Sequence, residues 1–141
     1  MIPNTYHLIY FYNENDLFPL AHYININSIR ILNNAEKIYF YSDKLPEGKY
    51  WDKISSFVEF KKVVPPDSVF DRKLYHIAHK SDVLRLQILM EMGGIYLDMD
   101  VICKKPFTPL LQFDFVMGKQ GKWRRMGLCN GVILANKDSE F

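Results

Sequence analysis

Short hydrophobic segments alternate with polar turns along this chain, and their spacing predicts strands and helices in alternation. The segments that favour strands are short, apolar and rich in aromatic or β-branched residues. They are Tyr6–Tyr12, Lys37–Ser42, Val58–Val64, a segment that starts at Ile95, Phe113–Gly118 and Cys129–Asn136. Helices between such strands are typical of an α/β layered sheet.

The first long helix is predicted after Asp16, whose side chain is suited to cap a helix N-terminus. The residues expected on its buried face follow helical spacing: Leu17, Leu20, Ala21, Ile24, Ser28 and Ile31. The stretch Tyr23–Asn27 also alternates like a strand, so the helix depends on the longer pattern. A short helical turn is predicted around Trp51.

The second long helix is predicted from Leu74 to Met92. Its main stripe consists of Leu74, Ile77, Ala78, Ser81, Leu84, Ile88 and Met92. Four further apolar residues widen the stripe, so we expect this helix to be covered on most sides. Gly93 follows as the C′ residue, because glycine adopts a positive φ without strain.

Length and charge restrict the class of protein. The 141 residues suffice for one core and contain no linker or repeat, so we expect a single domain spanning residues 1–141. Hydrophobic residues make up 48% of the chain, which favours a folded structure over disorder. The formal net charge of +2 gives no general attraction for nucleic acid or an anionic membrane.

Targeting signals are not apparent in this sequence. The N-terminal residues lack the basic and apolar regions of a signal peptide, and no apolar run has the length of a membrane span. The two cysteines, Cys103 and Cys129, do not form a metal or disulfide motif. Reduced thiols are typical of a cytoplasmic location, which is therefore our expectation.

The segment GGIYLDMD, Gly93–Asp100, ends on two carboxylates one residue apart. If the strand continued through it, Tyr96, Asp98 and Asp100 would share one face. The Cα atoms of the two acids would lie about 6.6 Å apart, where their charges repel by about 2.5 kcal/mol at an effective dielectric near 20. Mn²⁺ or Mg²⁺ would relieve this repulsion and hold phosphate oxygens.

Two other interpretations of the acid pair remain open. In one, the acids simply mark the solvent-exposed end of a strand, which is the usual role of an isolated D-x-D. A phosphatase of the haloacid dehalogenase type also has an Asp pair after an apolar strand. Against that class, the pair lies late in the chain, with only 41 residues after Asp100 for the remaining machinery.

Asp82 and Arg85 lie three residues apart on the second helix and so project from one helical face. An intrahelical ion pair worth about 0.2–0.5 kcal/mol is one explanation. The other is a polar wall beside the acids, where an Asp accepts hydrogen bonds from hydroxyls and an Arg donates to several oxygens. Such a wall would suit a sugar attached to a phosphate.

The assembled stretch SDVLRLQILMEMGGIYLDMDV resembles the D-x-D sugar-binding region of the glycosyltransferase family 32 type. It is also similar to the catalytic segment of the clostridial glucosylating toxins. The resemblance extends to HLIY near the start and to FDFVMGK and GLCNGVILA further on. It implies a GT-A fold, a Rossmann-like α/β/α sandwich with a mostly parallel central sheet, and a metal-dependent enzyme that retains the anomeric configuration.

The resemblance also implies roles for individual residues. Asp98 and Asp100 would hold Mn²⁺ or Mg²⁺ on the diphosphate of a nucleotide-sugar donor, which is expected to be a UDP-sugar. Asp82 and Arg85 would contact the donor sugar, and Tyr96 would lie beside the nucleoside. Tyr10 stands where the family commonly has Trp, and its smaller ring would stack on the base. The acceptor would be a hydroxyl, expected to belong to a glycan.

The sequence does not decide whether the chain contains every part of a transferase. It ends at Phe141, where members of the family usually continue, so we expect either the nucleotide-sugar-binding part of a longer chain or a reduced form. A non-catalytic module that binds a nucleotide sugar or a glycan is the alternative function. Other polar residues keep an ordinary interpretation. His76 and His79 are expected to be surface or packed histidines, the basic run of residues 119–125 a solvated loop, and Asn130 a turn residue or a ligand contact.

Overall fold

The computed structural model describes residues 1–121 and 127–140, and its centre is a sheet of six strands. The strands of this sheet are β1 (Thr5–Ile9), β2 (Lys37–Ser42), β3 (Glu59–Lys62), β6 (Gly94–Leu97), β7 (Phe115–Lys119) and β8 (Leu128–Ala135). The short strands β4 (Ser68–Val69) and β5 (Arg72–Lys73) form a separate hairpin. The helices are α1 (Leu20–Asn33), α2 (Lys49–Asp52) and α3 (Ile77–Met92), with a 3₁₀ turn at Thr108–Leu110.

The sheet order is β3-β2-β1-β6-β8-β7, and the mixed pairing confirms a mostly parallel α/β sheet. Strands β3, β2, β1 and β6 are parallel, whereas β8 runs antiparallel to both β6 and β7. The chain moves outward from β1 to β2 and β3 and then returns to pair β6 on the other side of β1. Parallel sheets bind ligands at such a switch point, beyond the carboxyl ends of the strands.

The alternation of side chains along the central strands separates two cores. Tyr6 and Leu8 of β1 join a cluster with Ile26 and Ile29 of α1 and with Trp51 of α2. Residues of the opposite parity, such as Ile9, Tyr39 and Tyr96, pack with Ile88 and Leu89 of α3. Helix α1 therefore covers one face of the sheet and α3 the other, so both helices can reach the edge where β1 and β6 end.

The structure corrects the prediction for the first helix. The predicted face is largely in solvent, since Leu17, Leu20 and Ile31 are exposed. The residues that α1 buries lie on the other side: His22, Asn25, Ile26, Ile29 and Asn33. Asp16 does not cap this helix, which begins after Pro19, and its carboxylate instead accepts from the backbone N–H and side-chain amide of Asn13. The first strand is also shorter than predicted and ends at Ile9.

The second long helix exists, but it begins at Ile77 and is not covered on most sides as expected. It buries only Arg85, Ile88 and Leu89, while Leu86 and Met90 are 52% and 74% exposed. One apolar stripe of the helix packs against the sheet. The opposite side is exposed because no further layer covers it among the described residues. Within residues 1–121 and 127–140, no helix has the length and hydrophobicity to traverse a lipid bilayer.

The double glycine connects α3 directly to β6, and the helix ends at Gly93 as predicted. Gly93 has a φ of +65° and its N–H donates to the Leu89 carbonyl at 2.8 Å. Gly94 has a φ of +108°, and a Cβ there would lie 2.6 Å from the Thr5 carbonyl oxygen. A side chain would therefore be both strained and in collision, and β6 starts at Gly94 because glycine permits this close approach to β1.

Candidate active site

A cavity of about 400 Å³ opens at the carboxyl ends of β1 and β6. Its lining comes from four parts of the chain: Tyr10 and Phe11 after β1, Asp98, Met99 and Asp100 after β6, His22 from α1, and Ile77, Ala78, Ser81 and Arg85 from α3. Ile9 and Tyr96 complete it from the strands themselves. The cavity thus lies at the switch point of the sheet, and five of the six predicted site residues line it.

The two acids lie in a turn and not on one face of a strand, which corrects the sequence prediction. Strand β6 ends at Leu97, and the Val101 N–H donates to the Asp98 carbonyl at 3.1 Å to close the turn. The Asp98 N–H is held by the Gly131 carbonyl at 2.8 Å. Met99 points into the core, while the Asp98 and Asp100 side chains face the cavity.

Asp98 is fixed through one of its two carboxylate oxygens. Its Oδ1 accepts from the Tyr96 hydroxyl at 2.7 Å and lies 3.1 Å from Arg85 Nη1. Its Oδ2 has no hydrogen-bond partner among the described residues, and a Cβ on Gly131 would come within 2.7 Å of it. The carboxylate is therefore oriented from one side, and the absence of a side chain at position 131 keeps the other oxygen accessible.

Arg85 connects the acids of the helix and of the turn. Its guanidinium is only 5% exposed, with Nη2 3.0 Å from Asp82 Oδ1 and Nη1 donating to the Asn130 carbonyl at 2.7 Å. It also lies over the Tyr96 ring at 4.3 Å from the centroid. The intrahelical ion pair is thus present, but it is one part of a buried network that ends on Asp98. Such a charge is stable away from water because both carboxylates and a carbonyl satisfy it.

Asp82 does not line the cavity, although it belongs to this network. Its Oδ1 accepts from the Asn130 side-chain amide at 2.9 Å as well as from Arg85. Asn130 lies in β8, so the link between α3 and β8 is made at the edge of the site. The sequence left Asn130 undecided between a turn and a ligand contact, and its observed contacts are with Asp82 and Arg85.

Tyr96 remains a hydrogen-bond donor to Asp98. Burial raises the pKa of its hydroxyl far above the usual value, and the nearby Asp98 charge adds to this while Arg85 opposes it. Tyr96 is 1% exposed, so its ring forms a fixed surface between Arg85 and the acid turn.

Asn25 of α1 holds the acid turn from the other side and was missed by the sequence reasoning. Its side chain is fully buried, and its amide donates to the carbonyl of Asp98 at 3.1 Å and to that of Val101. Ser28 and Asn33, further along α1, accept from the backbone N–H groups of Cys103 and Phe107. Polar residues at helical spacing were a signal for this face, but hydrophobicity pointed to the opposite one.

His22 was also missed. Its ring lines the cavity, is 8% exposed, and has its Nδ1 2.9 Å from the Tyr12 hydroxyl. Burial lowers its pKa to about 4, despite the opposing effect of Asp100, so the imidazole is neutral at neutral pH. Tyr10 packs edge to face against it, with ring centroids 4.4 Å apart, and remains 39% exposed.

The remaining polar candidates do not contribute to this cavity among the described residues. His76 and His79 are exposed and pack against each other, and no group of three metal-binding side chains occurs in residues 1–121 and 127–140. Of the basic run, Lys119 is exposed at the end of β7, while Lys122, Trp123, Arg124 and Arg125 lie outside the described residues.

The chain is similar in sequence to known proteins. The model for a glycosyltransferase sugar-binding region containing a DXD motif matches residues 6–116. The glucan organizing enzyme 1 of Cryptococcus neoformans var. grubii is 34% identical over 100% of this chain and 42% of its own length. Inositol phosphoceramide mannosyltransferase 1 of Schizosaccharomyces pombe is 49% identical over 30% of this chain and 13% of its own. The chain thus spans less than half the length of these curated relatives.

Solved structures support the fold. The PaToxG glycosyltransferase superposes with a TM-score of 0.66 at 20% identity, covering 98% of this chain and 56% of that one. The glycosyltransferase GlyE of Streptococcus pneumoniae gives a TM-score of 0.62 at 16% identity, covering 97% and 35%. These likenesses confirm the GT-A fold expected from the sequence.

Proposed function

We propose that this chain, which belongs to the family of glycosyltransferases whose sugar-binding region contains a DXD motif, transfers a sugar from a nucleotide-sugar donor to an acceptor hydroxyl. One observation carries the proposal: the buried Arg85 guanidinium bridges Asp82 and Asp98 at the edge of the cavity where β1 and β6 end. A buried cation between two acids is costly unless it is fully paired, and here it orients the Asp98 side chain of the D-x-D turn.

The acid turn has the donor set for a hard divalent cation. Asp98 Oδ2 lacks a partner among the described residues, and the exposed Asp100 faces the same cavity. Mn²⁺ and Mg²⁺ are commonly held by one or two carboxylates, with donor phosphates and water at the remaining positions. A bound ion would stabilise the negative charge of the departing diphosphate, which supplies the main chemical assistance to breaking the bond between sugar and phosphate.

The remaining residues suit the rest of the donor. Arg85 would donate to oxygens of the donor sugar. Asp82, which lies next to Arg85 outside the cavity lining, would accept from sugar hydroxyls that extend to this edge. Tyr96 lies beside the nucleoside, and the exposed Tyr10 ring offers a face for the base, for which uracil is proposed. The acceptor hydroxyl attacks the anomeric carbon with retention of configuration, as the family resemblance implies.

We further propose a glycan as the acceptor and residues 1–141 as a single GT-A domain, the nucleotide-sugar-binding part of a longer chain. The names of the relatives refer to a glucan and to inositol phosphoceramide, both of which carry hydroxyl groups.

Two free cysteines, Cys103 and Cys129, support the proposal of a reducing, cytoplasmic compartment.

The decisive experiment is donor binding to Asp98→Asn and Asp100→Asn, measured by calorimetry with a UDP-sugar and Mn²⁺. Each change removes one charge with almost no change in shape. We expect metal-dependent binding to be lost, whereas Asp138→Asn, at an exposed position, should bind like the parent. If both acid variants bound the donor like the parent, the assignment of the turn would be wrong.

A non-catalytic binding module is the second candidate, favoured by the short span of the chain relative to its relatives. The two functions separate when the protein is incubated with a panel of nucleotide sugars and Mn²⁺ and released nucleotide is measured. Turnover supports the transferase, and binding without turnover supports the module.

A further inference from the structure

His22 presents one unpaired ring nitrogen to the cavity. Its Nδ1 is engaged by the Tyr12 hydroxyl at 2.9 Å, and its Nε2 has no hydrogen-bond partner among the described residues. The residue is more than nine-tenths buried, but Nε2 does not belong to the fully buried atoms without a partner among the described residues, so this nitrogen is open to the cavity. A polar atom that faces a cavity without a protein partner is available for a hydrogen bond with a ligand.

The contact with Tyr12 determines which kind of hydrogen bond Nε2 makes. The Tyr12 hydroxyl is itself buried and has no other acceptor among the described residues, so we assign its proton to the hydrogen bond with Nδ1. A neutral imidazole carries one proton, and when Nδ1 accepts, that proton is on Nε2. His22 therefore faces the cavity as a neutral donor and not as an acceptor.

The position of His22 in the cavity restricts which part of a bound nucleotide sugar can contact it. Helices α1 and α3 cover opposite faces of the sheet, so His22 and Arg85 reach the cavity from opposite sides. The Tyr10 ring packs against His22 and leaves 39% of its surface exposed. A neutral donor adds little for a diphosphate, which favours charged partners, but it matches the carbonyl oxygen of a neutral base.

We infer that His22 reads the base of the donor nucleotide: its Nε2–H donates to a ring carbonyl oxygen and selects a keto base over an amino base. The inference rests on the proposed function and extends it to base specificity. Uracil has an oxygen where cytosine has an amino group, and guanine differs from adenine in the same way. An amino group facing Nε2–H would place two donors together, so cytosine and adenine are disfavoured.

The test compares matched nucleotide pairs, UDP with CDP and GDP with ADP, by calorimetry in the presence of Mn²⁺. We expect the parent to bind the keto member of the preferred pair about tenfold more tightly. In His22→Phe this ratio should fall to about one because only the keto nucleotide loses a bond. His22→Gln should keep keto affinity and gain amino affinity, because its amide can rotate to present either a donor or an acceptor.

Tyr12→Phe tests whether His22 has more than a structural role, because a histidine that only packs would leave the keto preference unchanged in this variant. Without the hydroxyl, Nδ1 is released and the imidazole can carry its proton on either nitrogen, so we expect the keto preference to fall while His22 stays in place. Thermal unfolding of each variant shows whether the fold is kept.

The outcomes that overturn the inference are distinct from those that overturn the proposed function. If the parent binds no nucleoside diphosphate, the proposed function fails, and the inference with it. If the parent binds but His22→Phe weakens both members of a pair equally, His22 contacts another part of the ligand and the base assignment is wrong. Unchanged affinities in His22→Phe would overturn it completely.

Discussion

Replacing Gly131 with alanine should disable the site while leaving the fold intact. Gly131 lies in β8 without a positive φ, so its backbone conformation accepts an L-residue. The added Cβ would stand 2.7 Å from Asp98 Oδ2 and 3.4 Å from its Cγ. The nearest atom is the end of a flexible side chain, so the carboxylate would move and the strand would not.

The magnitude follows from these distances. An ordinary contact between carbon and oxygen is about 3.3 Å or more, so the carboxylate must shift by about 0.6 Å. The shift lengthens the bonds of Oδ1 with Tyr96 and Arg85 and misplaces the oxygen proposed for the cation. Catalytic groups tolerate about 0.5 Å, and a 1 Å error costs about a hundredfold, so we expect donor turnover to fall by about 10- to 100-fold. Alanine is favoured over glycine in a strand by about 0.5–1 kcal/mol, which offsets much of the strain.

The assay measures nucleotide release from a UDP-sugar with Mn²⁺, together with thermal unfolding of the same samples. Gly118→Ala is the matched control, because it lies on the neighbouring strand and its added Cβ would meet its nearest atom, the Cys129 carbonyl oxygen, at an ordinary 3.4 Å. If Gly131→Ala released nucleotide within about twofold of that control, the Asp98 geometry would not govern the reaction.

Three further predictions test other parts of the site. Arg85→Lys keeps the positive charge but loses the planar set of guanidinium donors, so we expect donor turnover to fall at least tenfold. An unchanged rate would favour the interpretation of Arg85 and Asp82 as a simple intrahelical ion pair. Asn25→Ala should raise the Mn²⁺ concentration needed for nucleotide binding. Asn33→Ala, which loses contacts with Phe107 and Cys103, should lower the melting temperature alone, and equal Mn²⁺ requirements of the two variants would contradict this. Burial lowers the pKa of His7 to about 4, so on acidification the unfolded chain binds a proton at this histidine before the folded chain does. The free energy of unfolding should therefore decline as pH falls from about 6.5 towards 4, by about 1.4 kcal/mol per pH unit for this group. Urea unfolding at pH 7 and pH 5 should show a smaller decline for His7→Phe than for the parent.

The strands and the acid pair could be predicted because their signals are local. Strand β2 matches its predicted bounds, Lys37–Ser42, since six consecutive residues suit a strand buried on both faces. The end of α3 at Gly93 follows from the conformational freedom of glycine. The sequence also predicted that Asp82 and Arg85 lie beside the acid pair, because their positions on one helix and at the end of the next strand restrict where they can lie.

The face of α1 could not be predicted, because two sets of residues in that helix follow the same helical spacing. Hydrophobicity favoured the set with Leu20 and Ile31, but these residues are exposed. The other set contains Asn25 and Asn33, which are stable in the interior only because the backbone after β6 supplies their partners. His22 lies on the same face, so the error also concealed a residue of the cavity.

By itself the sequence determined the α/β class, the helix that carries Asp82 and Arg85, the strand that precedes the acid pair, and the chemistry of a carboxylate pair beside an arginine. Those properties depend on residue type and on spacing within a few turns or one strand. The tertiary structure decided the turn that separates Asp98 from Asp100, the link from Arg85 to Asn130, and the inward face of α1. Each depends on a partner from a distant part of the chain, and only folding creates the burial that makes such a polar contact favourable.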